Sequence, residues 1–477
     1  MSSRQFHAGN AWFADGWRRD VCFEVDSGRY YPGALLEVQP EVQAQGAEAL
    51  GRWIVPGMPN LHSHAFQRAM AGLAERRGDP ADSFWTWREV MYAFAGKLGP
   101  DDLRAIATQL YVEMLKAGYT QVCEFHYLHQ QADGKAYADP AAMSLALVEA
   151  AQEAGIGLTL LPPLYMSAGF DGRPLGERQR RFAHDVDGYL RLLERLRLLE
   201  NAHLRIGVAL HSLRAVPEDA MHAVLSGING MPQSPSSAPG SMMPIHIHIA
   251  EQIGEVQDCL AARNARPIEW LLDHAPVDAR WCLVHATHIN ESELGRLAAT
   301  RATVGLCPTT EANLGDGVFP LKNWLDAEGS IGIGSDSHIS VSPIEELRWL
   351  EYAQRLLTRH RNISASEAEP STGAVLYGSA LHGGANASGV PIGSFIGGDP
   401  ELPSVGNRAD LLVLDETSPL LAGRDASNLI DTWIFAGNSN LVRDVMVNGD
   451  WVVRDFRHRD EARIAARYRA VIARLHA

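Results

Sequence analysis

Trp53–His64 reads WIVPGMPNLHSH. An apolar, β-rich run stops at two histidines separated by one residue. Residues two apart on a strand face the same side. His62 and His64 are therefore expected to point together into whatever the strand helps to enclose. Packed or solvated imidazoles are the bland reading, and the pair alone does not decide between them.

The run is the first of eight. YTQVCEFHYLH, IGLTLLPPLY, LRIGVALHSLRA, PIHIHIAEQ, WCLVHATHI, ATVGLCP and SIGIGSDSH follow in order. Stretches with helical spacing, such as Asp101–Ala117, Pro140–Ala154 and Pro343–Arg361, lie between them. Near-continuous apolar strands that alternate with helices imply a parallel sheet. Eight such units predict an α/β fold, a (β/α)8 TIM barrel over residues 56–395. The flanks, residues 1–55 and 396–477, read differently. VCFEV, YYPGALLEV and RWIVPG on one side return as NRADLLVLDE, DTWIFAG and RDVMVNGDWVVRDF on the other. They predict a small β-sandwich built from both chain ends, with a terminal helix. Ser226–Pro244, rich in Gly, Pro and Ser, reads as a loop insertion between the fourth and fifth strands.

Bulk properties narrow the function. The 477 residues are 46% hydrophobic, enough for a sizeable core. A net charge of −15 disfavours a nucleic-acid partner, which would need clustered Lys and Arg. No apolar run approaches the ~20 residues that span a bilayer, so no membrane partner is expected. Five scattered cysteines without a C-x-x-C pair, and a beginning without an apolar signal core, suit a cytoplasmic protein.

Polar residues gather where the runs end. The fifth closes on His246, His248 and then Glu251, the sixth on His285, the eighth on Asp336. Barrel active sites lie at the C-terminal ends of the strands. Each residue has a bland reading: barrels bury polar layers, and Asp often caps the next helix. Coincidence at four strand ends is less easily explained that way. Three histidines and one carboxylate suit a borderline cation such as zinc. His246 shares a face with His248 but lies deeper, which fits a supporting or core role.

This constellation resembles the amidohydrolase superfamily and its mononuclear deaminase branch. The resemblance implies one Zn2+ per chain, held by His62, His64, His248 and Asp336. It also implies that Glu251 and Asp336 move protons and that His285 orients the nucleophile. The fourth run ends without a lysine that could be carboxylated to bridge two metals, which favours one ion.

Longer motifs narrow the resemblance. NLHSHAFQRAMAGLAE, FWTWREVMY, EFHYLH, LHSLRAV, HIHIAEQ, CPTTEANLGDGVFPL and GSDSHISVSPIEELRWLEY resemble one family within that branch. Its members hydrolyse N-formimidoyl-L-glutamate to N-formyl-L-glutamate and ammonia in histidine degradation. The likeness covers the barrel almost throughout and the flanks more loosely. It implies a small-molecule dicarboxylate substrate, touched by Gln67, Arg88, Tyr127, His211 and Arg214. Chemistry supports this in part, because Arg grips carboxylates bidentately. Arg88 could equally be a surface charge stacked on Trp85 or Trp87, and Tyr127 a packed phenol. Gln67 has the weakest physical case. A homodimer is the expected assembly, although no residue pattern specifies one.

Two alternatives stand beside this reading. One is a deaminase of the same superfamily acting on a purine or pyrimidine ring. Paired arginines argue against it, since a neutral base needs no two cationic anchors. The other is a non-catalytic barrel used as an interaction module. An intact ligand set together with Glu251 argues against that.

Overall fold

The computed structural model describes residues 3–13, 15–30, 36–37, 46–75, 84–234, 242–395 and 406–476. Eight strands follow one another as β1 (Met58–Ser63), β2 (Tyr119–Phe125), β3 (Gly157–Leu161, continuing as Pro163–Leu164), β4 (Leu204–Ile206, continuing as Val208–Ser212), β5 (Ile245–Ile249), β6 (Trp281–His285), β7 (Thr303–Leu306) and β8 (Ser330–Ile333). Breaks at Pro162 and Gly207 divide the ladder in two. The early halves of β3 and β4 join β2 and β1, and their later halves join β5 through β8. All these pairings are parallel. An isolated parallel bridge between Ser63 and Asp336 brings the end of β1 against the segment after β8. The strands are buried almost throughout, as parallel strands covered on both faces must be. The result is an α/β fold whose parallel sheets are of the TIM-barrel type.

The helix Thr372–Ser388 packs across β1, β7 and β8. It comes so close that a Cβ on Gly384 would sit 2.7 Å from Pro59. Its last carbonyls are taken by polar groups of the strands. Thr159 Oγ1 donates to Ser388 O at 2.8 Å, and His246 Nε2 lies 2.8 Å from Ala387 O. His246 is thus a core histidine held by a helix end.

The two chain ends meet in one mixed, ten-stranded sheet. Trp53–Pro56 is the link. It runs parallel to Arg4–Phe13 and antiparallel to Leu411–Leu414. The sheet covers its own apolar core, with Phe6, Phe23, Ile54, Phe395 and Met446 among its members. The run Trp53–His64 is therefore two strands, not one. Gly57 separates them, its N–H donating to Asp410 O at 3.3 Å.

Other expectations shift. Asp431–Gly437, read as β, is helical as far as Phe435, where the helix Leu429–Phe435 ends. Leu429, Ile430, Trp433 and Ile434 are buried at helical spacing. Asp431 accepts from Gly373 N and Ser371 Oγ at the start of Thr372–Ser388, which fixes the helical turn. The stretch Pro343–Arg361 ends its helix at Thr358, because Arg359 turns left-handed (φ 61°). Pro140–Ala154 begins its helix at Ala142. Ser226–Asn229 finishes the helix Glu218–Asn229, and residues 235–241 of the expected insertion lie outside the described residues, as do 31–35 and 38 of YYPGALLEV. All five cysteines are free, and no helix among the described residues is long and apolar enough to cross a membrane.

Gly334 sits where β8 passes β1. A Cβ there would lie 2.7 Å from His62 N and 2.9 Å from His62 O, atoms that cannot move aside cheaply. Gly334→Ala is expected to cost about 1–3 kcal/mol as overpacking. Gly295 lies in the helix Glu291–Ala299 with nothing within 4 Å of its would-be Cβ. Gly295→Ala is expected to gain roughly 0.5–1 kcal/mol from helix propensity. Urea unfolding of both variants checks the contrast; equal effects would contradict the packing at Gly334.

Candidate active site

The ends of β1, β5 and β8 bring four donor atoms together. His62 Nε2 lies 3.1 Å from His64 Nε2 and 3.0 Å from His248 Nε2. Asp336 Oδ1 lies 3.5 Å from His62 Nε2 and 3.4 Å from His64 Nε2. Backbone hydrogen bonds hold the strand ends in this register: Asp336 N donates to His62 O at 2.9 Å, and His64 N to Asp336 O at 3.2 Å.

The other ring nitrogens settle what these atoms can do. His64 Nδ1 donates to Phe125 O at 2.7 Å, and His248 Nδ1 to His211 O at 2.9 Å. Each Nδ1 therefore carries the proton, and each Nε2 offers a lone pair toward His62. His62 Nε2 can donate to only one of them. A cation among the four atoms satisfies all of them. Tetrahedral ligands around zinc at 2.0–2.1 Å stand about 3.3–3.4 Å apart, close to the spacings here.

Electrostatics agrees. Burial, more than the neighbouring imidazoles, holds His62 and His248 well below the ordinary histidine range and His64 down to about 3. Burial likewise pushes Asp336 up to about 7; His285 opposes this, and Glu251 and Glu311 add to it. Three neutral imidazoles and a carboxylate short of counter-charge form a donor set for a divalent cation.

Beside this cluster stands His285. Its Nε2 lies 3.7 Å from Glu251 Oε1 and 3.8 Å from Asp336 Oδ2. Burial disfavours its charge, but Glu251, Glu311 and Asp336 outweigh burial and push it up to about 10. Ala250, His285, Ala286, Asp336 and His338 all adopt left-handed backbone, with φ between 43° and 70°. Such strain in non-glycine residues gathers at functional sites, where the surrounding structure imposes it.

One cavity is lined by every predicted site residue except His62, which is fully buried. Gln67 Nε2 donates to Tyr127 OH at 3.0 Å. His211 stacks edge-on to Tyr165 at 4.3 Å. The Arg88 guanidinium lies 5.5 Å from the Tyr92 ring centre. Burial first, then Arg214, His64 and Arg88, hold His211 well below its ordinary value. The cavity thus holds two guanidinium groups, Arg88 and Arg214, beside neutral His211, together with the carboxylates Glu251 and Asp336. Burial works against the Arg214 charge, but Tyr165, Glu255 and Glu251 outweigh it and push it up.

Sequence reasoning missed several residues. Tyr92, Tyr165 and Phe182 line the cavity. Of these Tyr92, in the aromatic FWTWREVMY, and Tyr165, which closes the third run IGLTLLPPLY, carried a signal. Glu124, inside β2, is a buried support. Ser63 Oγ and Tyr111 OH donate to its Oε2, and Ala65 N donates to its Oε1 at 2.7 Å. It clamps the two residues that flank His64. Burial pushes it up to about 7 against those three hydrogen bonds. His338 adds a second support, 3.2 Å from Ser63 Oγ and 3.0 Å from Ser335 Oγ.

Imidazoles and carboxylates converging at the carboxyl ends of parallel strands, with a donor set for a cation, form the site of a hydrolase built on TIM-barrel-type sheets. More narrowly, the chain belongs to the amidohydrolase family, whose pattern matches residues 53–452. It is 52% identical over 469 residues to a formimidoylglutamate deiminase from Pseudomonas aeruginosa, covering 98% of each chain. It is 26% identical to a 5-methylthioadenosine/S-adenosylhomocysteine deaminase from Natronomonas pharaonis, covering 86% of this chain and 83% of that one. Among solved structures it resembles an amidohydrolase from Brucella melitensis. Identity there is 42% and the TM-score 0.90, over 99% of this chain and 100% of that one.

Glu124→Gln keeps the size of the side chain but cannot accept at both ends. The variant is expected to lose about 1–3 kcal/mol of stability. Its affinity for Zn2+ should fall roughly 10–100-fold, as for other groups that orient metal ligands. Competition with a chromophoric chelator reads the second effect. Unchanged affinity would show that the clamp does not position His64.

Proposed function

We propose that this chain is a zinc-dependent formimidoylglutamate deiminase, hydrolysing N-formimidoyl-L-glutamate to N-formyl-L-glutamate and ammonia. The observation that carries the reading is that one buried cavity holds both charge types a formimidoylated glutamate requires. A formimidoyl group is a basic amidine and suits Glu251 and Asp336. The two carboxylates of a glutamate suit Arg88 and Arg214. The Pseudomonas aeruginosa relative supports it. A purine or pyrimidine deaminase would have little use for two guanidinium groups in a buried site.

In this reading His62, His64, His248 and Asp336 hold one Zn2+. When bound, the ion supplies Lewis-acid activation of the attacking water. Asp336 accepts a proton from that water. Glu251 delivers a proton to the imine nitrogen, and the proton that Asp336 took from the water reaches the resulting amine. Glu251 recovers a proton from the new hydroxyl as the carbonyl forms, so that nitrogen leaves as ammonia and not as a poor anionic leaving group. His285, charged and 3.7 Å from Glu251, orients the nucleophile and stabilises charge as the carbon becomes tetrahedral. Gln67, Tyr127 and His211 shape the walls, while Arg88 and Arg214 clamp the carboxylates.

Further parts of the reading are architectural and cellular. The eight parallel strands are a (β/α)8 barrel over 56–395. Residues 1–55 and 396–477 form a β-sandwich, the latter including the terminal helix. The enzyme acts as a cytoplasmic homodimer in histidine degradation, consistent with five unpaired thiols.

Ammonia release from N-formimidoyl-L-glutamate, beside guanine as control, tests the activity. Glu251→Gln should fold and bind Zn2+ yet lose ~10²–10⁴-fold in kcat. Release from guanine alone, or activity of the variant within threefold of wild type, would contradict the reading.

A substrate with one carboxylate amidated tests the clamp. Its kcat/KM should fall by the equivalent of ~2–5 kcal/mol in wild type. The fall should be smaller in whichever of Arg88→Met and Arg214→Met has already lost the partner of that carboxylate. Strictly additive losses for both arginines would show that neither reads a carboxylate.

A further inference from the structure

His285 has two ring nitrogens, and the proposed reaction uses only Nε2. Its Nδ1 lies 3.2 Å from Glu311 Oε1. Glu311 belongs to CPTTEANL, the turn and short helix that follow β7. It is buried and its placement is over-determined. Cys307 N donates to the same Oε1 at 2.9 Å, Glu311 N donates to Cys307 O at 2.9 Å, and Asp316 N donates to Glu311 O at 3.0 Å. His285 itself sits in strained left-handed backbone at φ 70°, so its ring needs an external hold.

We propose that Glu311 is the positioning residue for His285. It takes Nδ1–H and thereby turns Nε2 toward Glu251 and Asp336. The inference rests on the role given to His285 above. Without this hold the ring could rotate about χ2, and Nε2 would leave the space between the two carboxylates. Glu311 touches no substrate atom, and its side-chain hydrogen bond toward the site is the one to His285. His285, Cys307 and Glu311 could also be read as a cation site, since their donor atoms lie within 4.8 Å of one another. The hydrogen bonds speak against that use. Glu311 Oε1 already accepts from both the imidazole and the Cys307 amide.

The test compares Glu311→Leu, Glu311→Gln and His285→Asn, singly and with Glu311→Leu combined with His285→Asn. Glu311→Leu should lower kcat on N-formimidoyl-L-glutamate about 100-fold, with KM and bound zinc within twofold of wild type. Glu311→Gln keeps an acceptor and should recover most of that loss, to within about tenfold of wild type. In the His285→Asn background Glu311→Leu should change kcat less than threefold. A second readout needs no turnover: the low-field imidazole N–H proton of His285 in the NMR spectrum, assigned by its loss in His285→Asn. It should be present in wild type and absent in Glu311→Leu. Its persistence in Glu311→Leu would overturn the proposal whatever reaction the enzyme catalyses. So would full kcat in Glu311→Leu, or additive losses in the double variant. Inhibition by zinc beyond one equivalent that Cys307→Ser abolishes would also overturn it, by making the trio a cation site. Silence of wild type toward N-formimidoyl-L-glutamate would fail the assigned reaction instead, leaving the NMR result to decide for or against Glu311.

Discussion

The site depends on one contact between strand ends. Asp336 N donates to His62 O at 2.9 Å, and His64 N donates to Asp336 O at 3.2 Å. These two bonds bring residues more than 270 positions apart into one register. They set two imidazoles of β1 and the carboxylate after β8 on the same floor. Gly334 lets the backbones approach this closely, and Asp336 accepts left-handed geometry to complete the turn. Glu124 and His338 brace the same junction from the side.

Burial at that seam sorts the titratable groups. The same low-dielectric surroundings that keep His62, His64 and His248 neutral drive Asp336 up toward neutrality. His285 goes the other way, because three carboxylates outvote the cost of burying its charge. Neutral imidazoles can ligate and a charged one cannot. The division between the three neutral histidines and the charged one follows from their neighbours, although all share similar positions at strand ends.

Much of this was legible in the sequence because its signals were periodic. Eight apolar runs separated by helical spacing gave the parallel strands, and period two placed His62 beside His64 and His248 above His246. The rest was hidden for identifiable reasons. Asp431–Gly437 is a short apolar run, and helix and strand look alike at that length. Its helical state is decided by distant partners, Ser371 and Gly373. The division at Gly57 is likewise decided by Leu411–Leu414, far along the chain. Glu124 and Glu311 carry no local signature, since a buried acid is explained only by the donors that reach it. Arg88 and Arg214 were found through resemblance. Their meeting in one cavity is a tertiary fact that no spacing encodes.

The central claim is that four donor atoms at one seam enclose one cation. Anomalous scattering at the zinc edge, from crystals grown with Zn2+, tests it most directly. The account predicts a single strong peak per chain, within bonding distance of Nε2 of His62, His64 and His248 and of Asp336 Oδ1. Two peaks in the cavity, or one bound to His285 and Glu311 instead, would contradict it.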